Sequence, residues 1–245
     1  MQIKDYQVVL LGVMIALGSI ASTYILSKSI VEFQKLQNQT IRVTGSANQT
    51  VTSDRASWTI NIRAKKPTLK DGYAKLNSDA KKIKKFLKDN GIDEKNIEFG
   101  SIGSYENYMR TPNGNVTNDI ESYNVYQSVT VKSNDINKLT DIAKNVDELI
   151  NQDINLTSDN VEYFVSNIDD IKVKMVGEAA KNAKERAKSM VSGTNGKIGA
   201  MNSARMGVFQ IVPVDSTEVN DYGINDTSSI EKKVVATVTA TFTVK

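Results

Sequence analysis

From Tyr6 to Ile25 the chain carries no charged side chain, and this run sits almost at the N-terminus. In hydrocarbon such a segment has one stable fold, the α-helix, because every backbone polar group must find its partner within the segment. At about 1.5 Å per residue the helix spans roughly 30 Å, the thickness of a bilayer hydrocarbon core. No later segment of the chain comes close to it.

A secretory signal peptide also places an apolar run behind a short charged start, so two outcomes compete. The run exceeds the usual signal core of about 7–15 residues, and Lys4 is answered at once by Asp5. Retention as an anchor over residues 1–26 is therefore expected; cleavage near Ser19-Ile20-Ala21 is the alternative. Lys4 on one side faces Lys28 and Lys35 on the other, so charge bias hardly orients the span. The short leading tail favours the N-terminus inside and the rest outside. Gly12 with Ala16 and Gly18 with Ser22 form small-xxx-small pairs, the spacing that lets two membrane helices approach closely. Beyond the span, Leu26, Ile30, Phe33 and Gln37 fall on one helical face, which predicts a helical stalk or linker over residues 27–39.

Residues 40–245 then read as one α+β ectodomain of antiparallel sheets with helices packed on one face. Ala56, Trp58, Ile60, Ile62 and Ala64 alternate with Ser57, Thr59, Asn61 and Arg63, the period of a half-buried strand. Val234, Ala236, Val238, Ala240, Phe242 and Val244 repeat the device against a row of threonines. Further strands are expected at 40–47, 96–109, 122–132, 161–167 and 198–212. A first helix follows from the spacing of Leu69, Tyr73, Leu76, Ala80, Ile83 and Leu87, stopped by Asn90-Gly91. A second runs through Ile136, Leu139, Ile142, Val146 and Leu149 behind an Asn134 or Asp135 cap. A third covers about 169–191, with Val173, Val176, Ala180, Ala183, Ala187 and Met190 inward and close to a neighbour. Thr111-Pro-Asn-Gly-Asn115 closes a hairpin, and 215–229 reads as an exposed polar loop.

Chemistry is narrowed by what the chain lacks. It has no His and no Cys, which removes Ser-His-Asp and Cys-His catalysis, imidazole or thiolate zinc sites and thiol redox chemistry. A balance of 31 basic and 28 acidic residues, with Lys well ahead of Arg, gives no case for nucleic acid. Gly193 to Gly199 follows a helix where a phosphate loop must precede one, and reads as a helix cap. Asn151, Asp153, Asn155, Thr157, Asp159 and Glu162 stand at the ligand positions of a twelve-residue calcium loop, although Leu156 occupies the glycine position. Tyr105, Tyr108, Tyr123 and Tyr126 flank the hairpin turn, as a cross-strand cluster or as a surface for another molecule.

Several blocks together resemble the SIMPL-domain family: Val43-Thr-Gly-Ser-Ala47 followed by Ser53-Asp-Arg-Ala56, the strand from Tyr123 to Val131, the helix Ala179-Ala-x-x-Ala183-x-x-Arg-Ala187, and the terminal strand. The family's usual Pro-Asp is Ser53-Asp54 here, and its Gly-x-Gly is Gly45-Ser-Ala47. The resemblance implies a bacterial exported or membrane-anchored α/β protein, in some members linked to oxidative stress and in some assembled into rings. It implies neither cofactor nor catalytic residue.

The expected function is that of a non-enzymatic protein held in the bacterial inner membrane by one span, its ectodomain extracytoplasmic. That ectodomain self-assembles as a homo-oligomer or scaffolds another envelope protein. Were the run cleaved, the protein would be periplasmic or secreted. The alternative is an exported small-molecule or lipid-binding protein linked to oxidative-stress tolerance.

Overall fold

A computed structural model describes residues 3–245, with side chains placed for residues 10–32 of the first helix and for 39–245. Tyr6 to Val9 of the apolar run, and Phe33 and Gln37 of the stalk face, lie outside the described side chains. The chain opens with α1 (Ile3–Asn38) and continues through β1 (Thr40–Thr52), β2 (Arg55–Lys66) and α2 (Leu69–Asp89). Next come β3 (Ile97–Phe99), β4 (Gly103–Arg110), β5 (Val116–Ser133), α3 (Ile136–Lys144) and α4 (Asp147–Ile150). Then follow β6 (Leu156–Ser158), β7 (Glu162–Phe164), α5 (Ile168–Ser192), β8 (Ile198–Met206), β9 (Gln210–Pro213), β10 (Ile224–Asn225) and β11 (Glu231–Val244). The fold is α+β with largely antiparallel sheets, as the alternation of periods predicts. Its contacts divide into two compact units, the first holding Met1–Asn48, Lys172–Phe209 and Val235–Lys245, the second Gln49–Ile171 and Gln210–Val234.

In the first unit α1 is one continuous helix, and its segment Leu10–Glu32 is long and apolar enough to cross a membrane, with none of it buried. After it, β11 pairs with β1 on one side and with β8, antiparallel, on the other. α5 covers this sheet. Val43, Ala183, Ala187, Ala240 and Phe242 make the core between them, with Ile41 and Ile198 at its margin. The Arg186 guanidinium donates to Thr44 O at 3.1 Å and Ser46 N donates to Asn182 Oδ1 at 3.1 Å, fixing the rotation of the helix over β1. The buried stripe of α5 is accordingly Ile171, Met175, Ala179, Ala183, Ala187 and Val191, one residue off the expected face along half its length. Val173 and Met190, expected inward, are 75% and 59% exposed.

In the second unit the sheet order is β3-β5-β2-β6, with β4 also on β5 and β7 also on β2. β2 and β5 run antiparallel from Ala56 opposite Ser133 to Lys66 opposite Tyr123. Trp58, Ile60, Ile62, Val125, Val129 and Val131 turn inward to meet Leu76, Ile83, Leu87 and Leu139 of α2 and α3, all completely buried. Burying side chains of this size contributes about 1.5–3 kcal/mol each and dominates the stability of the unit. The Trp58 indole N–H is satisfied by Ser158 Oγ at 2.9 Å. α2 begins on the Thr68 hydroxyl, which accepts from Asp71 N, and ends at Asn90, with Gly91 at φ +76°.

Several elements differ from the periodic pattern. The strand expected over 96–109 divides into β3 and β4, because residues 100–102 shift the pairing with β5 by one. The helix expected through Leu149 ends at Lys144, where Asn145 folds its amide back onto Asp141 O, and α4 restarts after it. The strand expected over 198–212 divides at Gly207, whose N–H donates to Thr237 O. The inward face of α2 includes Gly72, Asp79 and Phe86, whereas Leu69 and Tyr73 stay partly in solvent.

Candidate functional site

Three surfaces of the described residues carry features beyond packing. The first is the ribbon of β4 and β5. β2 ends at Lys66 opposite Tyr123, so from Ser122 outward the ribbon has only two strands. Tyr108, Met109, Val116 and Ile120 of this arm are 42%, 48%, 59% and 38% exposed. The arm is held by cross-strand polar contacts such as Asn107 Nδ2 to Ser122 Oγ at 3.0 Å, and by the Thr111 to Asn115 turn. A two-stranded ribbon with both faces wet is marginal by itself.

The four expected tyrosines do not form one cluster. Strand alternation puts Tyr105 and Tyr126 on one face and Tyr108 and Tyr123 on the other. The Tyr105 and Tyr126 rings are 6.3 Å apart with a 46° tilt, within the range of aromatic pairing distances. The Tyr126 ring lies across Gly103, where any Cβ would collide with it. On the opposite face the Tyr108 hydroxyl donates to Glu106, and that hydrogen bond, with the carboxylate charge, pushes the phenol pKa up.

The six positions of the calcium pattern make other contacts, some through side chains and some through the backbone, and two of them share Arg63. Asp159 accepts from Asn61 Nδ2, Thr157 from Arg63, Glu162 from Thr227, and Asn155 O from Arg63 N. The Asn151 N–H donates to Asp147 O, and Asp153 lies 3.6 Å from Lys75 Nζ. β6 and β7 occupy this segment, where a calcium loop would lead into a helix. Lys75 also reaches Asp79, a carboxylate buried in α2; burial works against the ammonium, but the Asp79 and Asp153 interactions outweigh it and raise its pKa. Along the membrane-length helix, Gly12, Ala16, Gly18 and Ser22 are exposed, and nothing lies within 4 Å of a Cβ built at either glycine.

The second surface is a groove of about 570 Å³ at one end of the six-stranded sheet. The β2–β5 register brings Arg55, Ser57 and Lys132 to it, Phe164 of β7 pairs opposite Arg55, and Lys95 and Asn96 close it from the turn before β3. Lys132 leans on Glu98 at 3.1 Å and Lys95 on Asp93 at 3.6 Å, both in exposed pairs. Asp54 beside Arg55 is occupied by Ser166 N and Oγ; these bonds outweigh its slight burial and hold its pKa low. Periodicity alone hides this groove, because its residues come from four separate stretches. Arg55 and Lys132 at polar positions near the end of two pairing strands are the only signal of it.

The third surface is the segment expected to be a loose loop, which is braced instead. The buried Gln210 amide donates to Asn220 O and accepts from Asn220 N, and Lys233 Nζ donates to Ser216 O. Lys232, 2% exposed, donates to Asp226 O at 2.7 Å and lies 3.4 Å from its carboxylate. Burial pushes the Lys232 pKa down. For Asp226 the Ser228 and Ser229 hydrogen bonds and the Lys232 charge overcome burial and carry its pKa far below the usual carboxylate value. Above this bracing Val219 is 76% and Tyr222 96% exposed.

A family model named SIMPL, described as a protein of unknown function (DUF541), matches residues 41–242. No curated protein matches the chain significantly.

Proposed function

This chain belongs to the SIMPL family, and on that premise we propose that it is a non-enzymatic, single-pass envelope protein of a bacterial inner membrane whose extracytoplasmic domain self-assembles. The observation that carries this reading is the two-stranded arm beyond Ser122. It exposes Tyr108, Met109, Val116 and Ile120 on a ribbon that no third strand supports. Apolar residues on such an element gain most when a second molecule covers them. The helix Leu10–Glu32 supplies the tether and holds copies in one plane, which raises their effective concentration. Scaffolding of another envelope protein would use the same arm. The small-molecule or lipid-binding alternative would have to use the groove at Arg55, where Ala56 and Phe164 stand among Arg55, Lys95 and Lys132.

The test replaces Tyr108 to Glu121 by Asn-Gly, joining Asn107 to Ser122 across the pair they already form. Light scattering of the full chain in detergent is expected to show an oligomer, and the shortened variant a monomer of unchanged melting temperature. A full chain that is monomeric at high concentration, or an oligomer indifferent to the deletion, would overturn the reading.

A further inference from the structure

We propose that the braced segment from Asp215 to Gly223 of one copy docks into the Arg55 groove of a neighbouring copy. This contact rests on the reading that the ectodomain assembles, and it is distinct from the arm.

The donor surface has the character of a binding epitope without a partner. Tyr222 is 96% and Val219 76% exposed, yet the backbone carrying them is fixed at Ser216 by the half-buried Lys233 and at Asn220 and Asp226 by the buried Gln210 and Lys232. Within the loop Ser216 Oγ accepts from Glu218 N and Asn220 Oδ1 from Tyr222 N. Little conformational freedom remains to be lost on docking, and tyrosine on a rigid loop is a frequent anchor of protein interfaces. The segment is acidic: Asp215, Glu218 and Asp221 lie in it, and no Lys or Arg occurs from Asp215 to Glu231.

The acceptor surface is its complement. The groove is lined by Arg55, Lys95 and Lys132 against the single acid Asp93, with the Phe164 ring at its side. Among the described residues no hydrogen bond or ion pair holds the Arg55 guanidinium, which feels the charge of the adjacent Asp54, a carboxylate already occupied by Ser166, so its donors can turn to an incoming carboxylate. Lys132 and Lys95 are held only by exposed pairs, which cost little to exchange. In the docked state Asp221 meets Arg55, Glu218 meets Lys132 or Lys95, and Tyr222 lies beside Phe164. Loop and groove are different patches, so the contact is head-to-tail, the kind that builds a ring or a filament.

The chain contains no cysteine, which allows a direct test. Full-length chains carrying Tyr222→Cys and chains carrying Ser57→Cys, a groove position, are mixed in detergent under mild oxidation. The mixture is expected to form a disulfide-linked dimer that neither chain forms alone, and that Met201→Cys, exposed on β8, does not form with Tyr222→Cys. In parallel, Arg55→Glu is expected to weaken association by about tenfold, and Asp221→Arg in the partner to restore it. Cross-linking no greater than the Met201→Cys control, while light scattering still shows an oligomer, would overturn this contact and leave assembly through the arm standing. A strict monomer would overturn both.

Discussion

Gly45 of β1 faces the backbone of Ala183 in α5 so closely that a Cβ at position 45 would overlap the Ala183 nitrogen and the Ala179 carbonyl oxygen. Backbone cannot move aside as a flexible side chain can, so the contact requires glycine on the strand and alanine on the helix. Gly45→Ala is expected to destabilise the protein by about 3 kcal/mol, the upper range for overpacking. Gly177, in the same helix but with open space where its Cβ would stand, should respond oppositely. Gly177→Ala is expected to stabilise by about 0.5–1 kcal/mol. Urea unfolding of the two variants gives both signs.

Trp58 is the only tryptophan, and it is completely buried in the second unit. Its fluorescence therefore reports on that unit. Ser158→Ala removes the acceptor of the indole N–H and should lower stability by about 1 kcal/mol, since solvent near the exposed Ser158 can partly replace it. A blue-shifted emission that survives the substitution, with an earlier urea midpoint, is the expected result.

The two titrating pairs act at opposite ends of the pH range. Asp226 has its folded pKa depressed below its ordinary value of 3.8, so its contribution is complete above that value and fades as pH falls through the folded pKa. Lys75 has its folded pKa raised above 10.5, so its contribution is complete below that value and fades as pH rises through the folded pKa. Thermal melts across pH should thus show Asp226→Asn flattening the acid limb and Asp79→Asn flattening the alkaline limb.

The loop brace has its own readout. Gln210→Ala removes both hydrogen bonds to Asn220 and is expected to cost about 2 kcal/mol, with the loss concentrated locally. Hydrogen exchange should accelerate around Asn220 and Tyr222 while the amides of β2 and β5 keep their protection.

Strands whose one face is buried announced themselves by alternation: Ala56 to Ala64 and Val234 to Val244 are where the period of two places them. α5 was legible as a helix but not in its rotation. Ala179 and Ala180 are interchangeable by hydropathy, and only the contacts of Gly45, Thr44 and Ser46 with the helix choose between them. The segment before β11 read only as an exposed polar loop, because a run of Asp, Asn, Ser and Thr gives no sign that Lys232 and Gln210 turn inward to hold it. Nor could the groove be read directly, since a register pairing Ala56 with Ser133 is what gathers residues far apart in the chain.

One residue, Gln39, separates the end of α1 from the start of β1, and its carbonyl accepts the Val244 N–H at 2.8 Å. Lys245 is clasped in turn by reciprocal hydrogen bonds to Lys197. The final strand therefore comes back to the point where the chain leaves its long helix. Anything joined after Lys245, whether a fluorophore, an affinity tag or a second domain, would emerge beside that exit. A label there would report on the surroundings of the helix exit, and a bulky fusion would crowd it.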